Sequence, residues 1–314
     1  MEKVNLRIDI RADGGQKGIW QYSSYLSPLP EDFHLSLGEG GTPTISYKNL
    51  ILKREDQNPT GSLKDRGMAY LISWAYARGF KKLALSSSGN AAISAAAYCL
   101  LAGLDLTVFV SLKIEKNKLE KLKKFGIKVN LSSRAVSECQ QYSTKNNCFN
   151  LRPSKQEFGA EGYQTIAFEL AKTHGVIDNL FLPVSSGVCL AGVAKGFRKL
   201  GFLPKIHLCQ PASLCPIASL YDKNYQPENT SLATALVAKA TPLKNEIIKI
   251  ITESGGTGWA IENQEIVREQ KLLEKAGIVT SSEGVLAVAA FAKAKRTGNI
   301  SGKTVCLLTG KRYE

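Results

Sequence analysis

Residues 58 to 67 read Asn58-Pro59-Thr60-Gly61-Ser62-Leu63-Lys64-Asp65-Arg66-Gly67. Pro59, Thr60 and Gly61 predict a turn. Leu63, Met68, Leu71, Ile72, Ala75 and Tyr76 then recur at helical spacing. Lys64 therefore falls in the first turn of a helix, where a cation opposes the positive end of the macrodipole. A lysine must be neutral to attack a carbonyl, and nearby positive potential lowers its pKa. The spacing alone is equally served by a solvated lysine whose stem reaches past the helix end.

Around this segment the chain alternates strand and helix signals, the pattern of an α/β protein with largely parallel sheet. Leu83-Ala84-Leu85 reads as a strand, followed by a Ser/Gly/Asn turn and an apolar helix from Ala91 to about Ala102. Gly103 ends that helix and Leu106 to Val110 form the next strand. A helix over Lys116 to Phe125 and a strand starting at Ile127-Lys128-Val129 follow. A second series begins at Asn179 to Val184, a strand ending in a Ser-Ser-Gly loop. Leu190 to Leu200 read as a helix and Ile206 to Cys209 as a strand. Leu286 to Ala294 are helical and Thr304 to Thr309 form a last strand. Ser213 to Asn229, rich in Pro, Asn and Ser, reads as a loop or mobile element at a site entrance.

The 314 residues suffice for one large core or two modest ones. An apolar fraction of 44% and a charged fraction of 22% are those of an ordinary globular protein, not a disordered chain. No apolar run approaches a membrane span, and Met1-Glu2-Lys3-Val4-Asn5 does not open a signal-peptide core. The seven cysteines are scattered without a Cys-x-x-Cys pair, which favours neither a disulfide framework nor a zinc site. A reducing cytoplasm is the expected compartment. The net charge of +14 raises the question of nucleic acid. However, Lys113, Lys116, Lys118, Lys121, Lys123 and Lys124 share one helical stretch with Glu115 and Glu120, as on a solvated face. No nucleic-acid motif accompanies them. A basic surface also steers anionic substrates.

Several further segments stand in a telling order. They are Leu37-Gly38-Glu39-Gly40-Gly41-Thr42-Pro43, Ser87-Ser88-Gly89-Asn90, Glu161-Gly162-Tyr163-Gln164-Thr165, Pro183-Val184-Ser185-Ser186-Gly187 and Leu308-Thr309-Gly310. Together with the Lys64 decapeptide, this series resembles the threonine synthases, within the fold type II (β-family) pyridoxal-phosphate enzymes. The resemblance runs from about residue 15 to the end. It implies a two-domain α/β fold of the tryptophan synthase β type, with largely parallel sheets flanked by helices. The smaller domain maps to about residues 49–155, and the larger to 1–48 and 156–314, with pyridoxal 5′-phosphate between them.

The resemblance also implies roles. The family's cofactor is held as a Schiff base on the lysine matching Lys64, which is then the general base. The loop matching Ser87, Ser88, Gly89 and Ala91 receives the substrate carboxylate, and the residue matching Asn90 bonds the cofactor's phenolic oxygen. Read alone, Ser86 to Asn90 is also an ordinary strand-to-helix turn with an N-cap. Ser185, Ser186, Gly187, Val188 and Cys189 match the cofactor-phosphate loop. Backbone donors, hydroxyls and a dipole end suit such a cradle, and equally suit a serine-capped helix. Here the chain departs from the family's glycine-rich pattern, because Val188 and Cys189 replace small or polar residues. Thr309 matches the residue facing the pyridine nitrogen. A hydroxyl there favours elimination over transamination or racemisation.

The implied reaction converts O-phospho-L-homoserine and water to L-threonine and phosphate. The implied partner is a small, phosphorylated amino acid, with no nucleic acid or membrane, and a homodimer is a compatible assembly. Relatives often carry an arginine where this chain has Gly159. Arg152, Ser154 and Lys155 lie just upstream and are candidate substitutes; they are also readable as a surface basic cluster. That departure keeps open a serine or threonine dehydratase, an O-phosphoserine β-replacement enzyme, or a catalytically idle ligand-binding paralogue.

Overall fold

A computed structural model describes residues 13–87, 89–236, 241–298 and 300–313. Two sheets organise the chain. The larger holds β1 (Thr44–Tyr47), β2 (Leu50–Lys53), β7 (Asn179–Pro183), β8 (Lys205–Pro211), β9 (Thr257–Ile261) and β10 (Thr304–Leu307), in the order β1-β2-β10-β7-β8-β9. All its pairs are parallel except the β1–β2 hairpin. The smaller holds β3 (Lys82–Ser86), β4 (Asp105–Ser111), β5 (Lys128–Ser132) and β6 (Phe149–Asn150), in the order β5-β4-β3-β6, all parallel. Buried parallel strands need helices on both faces, and nine follow among the described residues. They are α1 (Lys64–Ala77), α2 (Asn90–Leu101), α3 (Lys116–Lys124), α4 (Ala135–Lys145), α5 (Gln164–His174), α6 (Val188–Lys199), α7 (Lys244–Ser254), α8 (Asn263–Lys275) and α9 (Ser282–Arg296).

The apolar cores follow the sheets. Met68, Leu71 and Ile72 of α1 join Ile93 of α2 and Val108 of β4 in one buried cluster. Ile166, Leu190, Val193, Leu208 and Ile250 form a second around the larger sheet, and α9 covers that sheet's other face through Val285, Leu286 and Ala289. Strand β2 falls inside the 49–155 segment expected for the smaller domain, yet it pairs with β10 of the larger sheet.

Two expectations give way. The α3 lysines are not one solvated face: Lys116, Lys123 and Lys124 are exposed, but Lys118 is buried and Lys121 half-buried. Lys118 lies four residues before the buried Leu122, on the inward row of the helix. Residues 213–229 are not the entrance element either. Gln210 Oε1 accepts from the Ile217 and Ala218 amides, and Asp222 forms a buried 2.7 Å pair with Lys293. None of that stretch lines the cavity described below.

The element that fixes α1 is a buried set of charges. Arg66 bonds Glu55 through Nε and Nη2, at 2.7 Å each, and Glu169 through Nη1 and Nη2, also at 2.7 Å. Lys53 of β2 completes the set with 2.6 Å bonds to Glu169 and to the Thr42 carbonyl. Burial alone would raise Glu169, but Arg66 and then Lys53 override it and hold the carboxyl at about 2. Removing one member of a buried ionic set leaves uncompensated charge. Arg66→Met should therefore cost about 3–5 kcal/mol of stability, read by chemical denaturation. A depressed carboxylate pKa stabilises the fold above its ordinary value. Glu169's contribution should thus be full above pH 4.5 and be lost as pH falls towards 2, and Glu169→Gln should flatten that acid limb.

Candidate active site

Three parallel strands deliver loops to one place. In parallel α/β sheets the strands' carboxyl ends are where ligands bind. The loop after β3 carries Ser87 and Gly89, that after β7 carries Ser185, Ser186 and Gly187, and β10 runs into Thr309. All of them line one cavity of about 640 Å³ between the two sheets. The same wall contains Lys64, Asn90, Ala91, Arg152, Ser154, Val188 and Cys189. Lys155 is exposed and lies outside the lining, so the structure does not bring it to the others. Ser88 lies outside the described residues.

Lys64 is the first residue of α1, as the spacing predicts. Its loop is bonded to the end of β10. Leu63 N–H donates to the Thr309 carbonyl at 3.1 Å, Lys311 N–H donates to the Gly61 carbonyl at 2.8 Å, and Ser62 bridges Gly310. Asp65, behind the loop, accepts from Thr60 N–H at 2.7 Å and Thr60 Oγ1 at 2.5 Å. The Lys64 ammonium lies 5.9 Å from the centre of the Tyr163 ring. Burial pushes the amine below the ordinary lysine value, against a smaller opposing pull from the Cys189 thiol. Desolvation thus favours the uncharged form of the amine.

Asn90 opens α2, and its Oδ1 is buried without a hydrogen-bond partner among the described residues. Nothing in the fold needs a bare amide there, and its O and N assignments are interchangeable. A ligand hydroxyl or phenolate would satisfy it.

Gly187 caps α6 at φ +86, a left-handed conformation. A Cβ built there would lie 2.0 Å from Ile247 Cδ1. With no side chain in the way, the first amides of α6 stay open to an anion. Val188 is 5% exposed and joins the same buried apolar cluster as Val184, Leu190 and Ile247. Its branch is therefore accommodated by the core. The cavity's size, the orphaned amide and the open helix terminus all fit a flat, phosphate-bearing cofactor.

Position 159 explains its own departure. A Cβ on Gly159 would sit 2.1 Å from the Pro153 carbonyl oxygen, so the backbone leaves no room for an arginine. The residues packed against it, Pro153 and its neighbours Arg152 and Ser154, line the cavity. The Arg152 backbone is held by Asn150 Oδ1 at 3.1 Å, and its side chain forms no ion pair among the described residues.

Other wall residues escaped the sequence reading: Lys113, Glu115, Lys118, Tyr163, Thr234, Ala235, Leu236 and Glu283. Glu115 accepts from Thr234 Oγ1 at 2.6 Å and pairs with Lys118 at 3.0 Å, while Glu283 accepts from Ala235 N–H at 2.9 Å. The 234–236 stretch thus spans both sides of the cavity. Two of them had a legible signal: Lys118, by its place in the row Ile114, Lys118, Leu122, Phe125, and Tyr163, by its place in the Glu161-Gly162-Tyr163-Gln164-Thr165 segment.

The family described as pyridoxal-phosphate dependent enzyme matches residues 35–310. The chain belongs to that family, and its cofactor is pyridoxal 5′-phosphate. It is 30% identical to the threonine synthase of Methanocaldococcus jannaschii, over 93% of this chain and 80% of the relative. It is likewise 30% identical to that of Methanosarcina acetivorans, over 93% and 79%. Among solved structures it is similar to maize serine racemase, with a TM-score of 0.76 and 19% identity over 87% and 88% of the two chains. It also resembles the processed form of threonine deaminase isoform 2 from Solanum lycopersicum, with a TM-score of 0.74 and 20% identity over 86% and 84%. These last two establish the fold type II architecture alone.

Gly187→Ala should weaken cofactor retention. The left-handed backbone costs an alanine about 1–2 kcal/mol, and the methyl collides with Ile247. Adding Ile247→Ala should relieve the collision and leave the backbone cost. Equilibrium dialysis of pyridoxal phosphate against the single and double variants checks both.

Proposed function

We propose that this enzyme is a threonine synthase, converting O-phospho-L-homoserine and water to L-threonine and phosphate. The observation that supports it most is Arg152 in the cavity wall beside Ser154, with no acidic partner among the described residues, in a chain 30% identical to two threonine synthases.

Bound pyridoxal phosphate supplies an electron sink for negative charge at the substrate α-carbon. Lys64 would hold it covalently, with Ser185, Ser186, Gly187 and the Val188 and Cys189 amides around its phosphate. Asn90 would satisfy its phenolic oxygen and Thr309 would face its pyridine nitrogen. Thr309 offers a hydroxyl, which does not hold that nitrogen protonated as a carboxylate would. That environment suits β- and γ-elimination. Lys64, once displaced by substrate, is an amine whose pKa burial lowers, which suits it to act as base for the α-proton. The amides at Ser87, Gly89 and Ala91 suit the substrate carboxylate at the start of α2. Arg152 and Ser154 would take the substrate phosphate, a task for which Lys155 is badly placed. Phosphate leaves the γ-carbon after α- and β-proton removal, and water adds at the β-carbon. The segments around the two sheets would then behave as the smaller and larger domains, with β2 counted in the larger.

Gly159 favours a second reading, a dehydratase or an O-phosphoserine β-replacement enzyme, since the arginine common at that position is absent. Purified enzyme should release phosphate and form threonine from O-phosphohomoserine. Turnover of O-phosphoserine or free threonine, with none of O-phosphohomoserine, would transfer the assignment. Arg152→Met should raise KM for the phosphorylated substrate about 10- to 100-fold, the loss of a charge-assisted bond. Cofactor absorbance should be unaffected. Borohydride reduction should fix the cofactor to the Lys64 peptide, and Lys64→Ala should abolish both labelling and turnover.

A further inference from the structure

The segment after β10 does more than end a strand. Gly310 and Lys311 are bonded to Ser62 and Gly61, and the Lys311 stem lies over Gly61, where a Cβ would come within 2.5 Å of it. Two residues further on, the Tyr313 hydroxyl donates to the Thr60 carbonyl at 3.2 Å. The same carbonyl accepts from Lys121 Nζ of α3, also at 3.2 Å. Three ammonium groups surround the Tyr313 ring: Lys121 at 4.8 Å, Lys311 at 5.4 Å and Lys118 at 5.9 Å from its centre. Ring faces attract cations, more so when water is excluded. Asp65, Glu115 and Glu283 are the carboxylates whose charge reaches the ring, and burial holds its hydroxyl protonated. Burial, then the Lys311 charge, pushes Lys121 down to about 8.

One side chain therefore joins three pieces: the turn that leads into Lys64, the last segment of the larger sheet, and α3 of the smaller sheet, whose Lys118 lines the cavity. We propose that Tyr313 is a positioning residue, which locks α3 and the Thr60–Leu63 turn to the chain's last segment and so keeps the Lys64 nitrogen aligned and dry. The proposal rests on the cofactor being held at Lys64, not on which substrate is turned over.

The test uses full-length holoenzyme carrying Tyr313→Phe, Tyr313→Leu or Tyr313→Ala. The phenylalanine keeps the ring but loses the Thr60 bond, and it should fall between wild type and the alanine. The leucine keeps bulk but removes ring and hydroxyl. It and the alanine should raise the pH at which the bound cofactor's visible absorbance titrates by about one unit, because water at the nitrogen favours its protonated form. In protein stripped of cofactor, amides of residues 60–64 should exchange about tenfold faster in these two variants. Affinity for free pyridoxal phosphate, which the α6 end dominates, should change little. None of these readouts needs a substrate, so failure of the threonine synthase reading leaves them intact. An absorbance titration and exchange rate in Tyr313→Leu that match wild type would overturn the proposal. So would a Tyr313→Phe variant as perturbed as Tyr313→Ala, since the ring would then not be the active feature.

Discussion

Two cations and two carboxylates, buried together, decide where Lys64 can be. Arg66 is wholly buried and spends its guanidinium on Glu55 and Glu169, one from the turn after β2 and one from α5. Lys53 balances the second carboxylate. Charges removed from water are tolerable only when the geometry satisfies them closely. Here Thr42, Asn58 and the Gly41 amide take up further lone pairs, through Thr42 Oγ1 to Glu55, Asn58 Nδ2 to Glu55 and Gly41 N–H to Glu169. The set therefore has one good arrangement. It pins the first turn of α1 to the larger sheet while the rest of α1 packs into the core of the smaller one. Lys64, two residues before Arg66, inherits that fixed position.

The cavity then follows from topology. Each sheet is parallel next to the site, so strand ends and helix starts point the same way. Amide-rich helix termini at Asn90 and Gly187 face a common space without any loop being long. What differs among enzymes of such a fold is the wall between those fixed points. In this chain the wall includes a backbone contact, Gly159 against the Pro153 carbonyl, which no larger residue at 159 tolerates. The cation nearest that contact along the chain is Arg152.

Much of this was legible before any coordinates. Helix α2 and strands β3, β4, β7 and β8 announce themselves by short apolar runs between glycine-marked turns. Asn90 and Ser185 to Gly187 sit at the predicted strand-to-helix junctions, Lys64 in the first turn of its helix and Thr309 just past the last strand. The β1–β2 hairpin was not seen, because four-residue strands joined at Lys48-Asn49 carry little periodicity. Helix α5 was missed because it is buried on most sides and shows no polar face. Nor could spacing show that Glu55, Arg66 and Glu169 meet, since a long-range ion pair leaves no local pattern. In a run of lysines the buried Lys118 looks like the rest, and only its spacing from Ile114 and Leu122 marks it as inward. The 213–229 stretch was misjudged from composition, which does not reveal that Gln210 and Lys293 tie it down.

Two neighbouring side chains of the cavity wall bias each other's ionisation. Cys189 and Lys64 both line the cavity and feel each other's charge. In water an amine and a thiol side by side would exchange a proton readily. Here burial pushes Cys189 up to about 12 and outweighs the opposite effect of Lys64, while burial also lowers Lys64. Both shifts move the pair towards its uncharged form. A thiolate would have stabilised the ammonium and left Lys64 without a free electron pair. A protonated thiol withholds that stabilisation from the ammonium, so the two side chains together bias Lys64 towards its uncharged form.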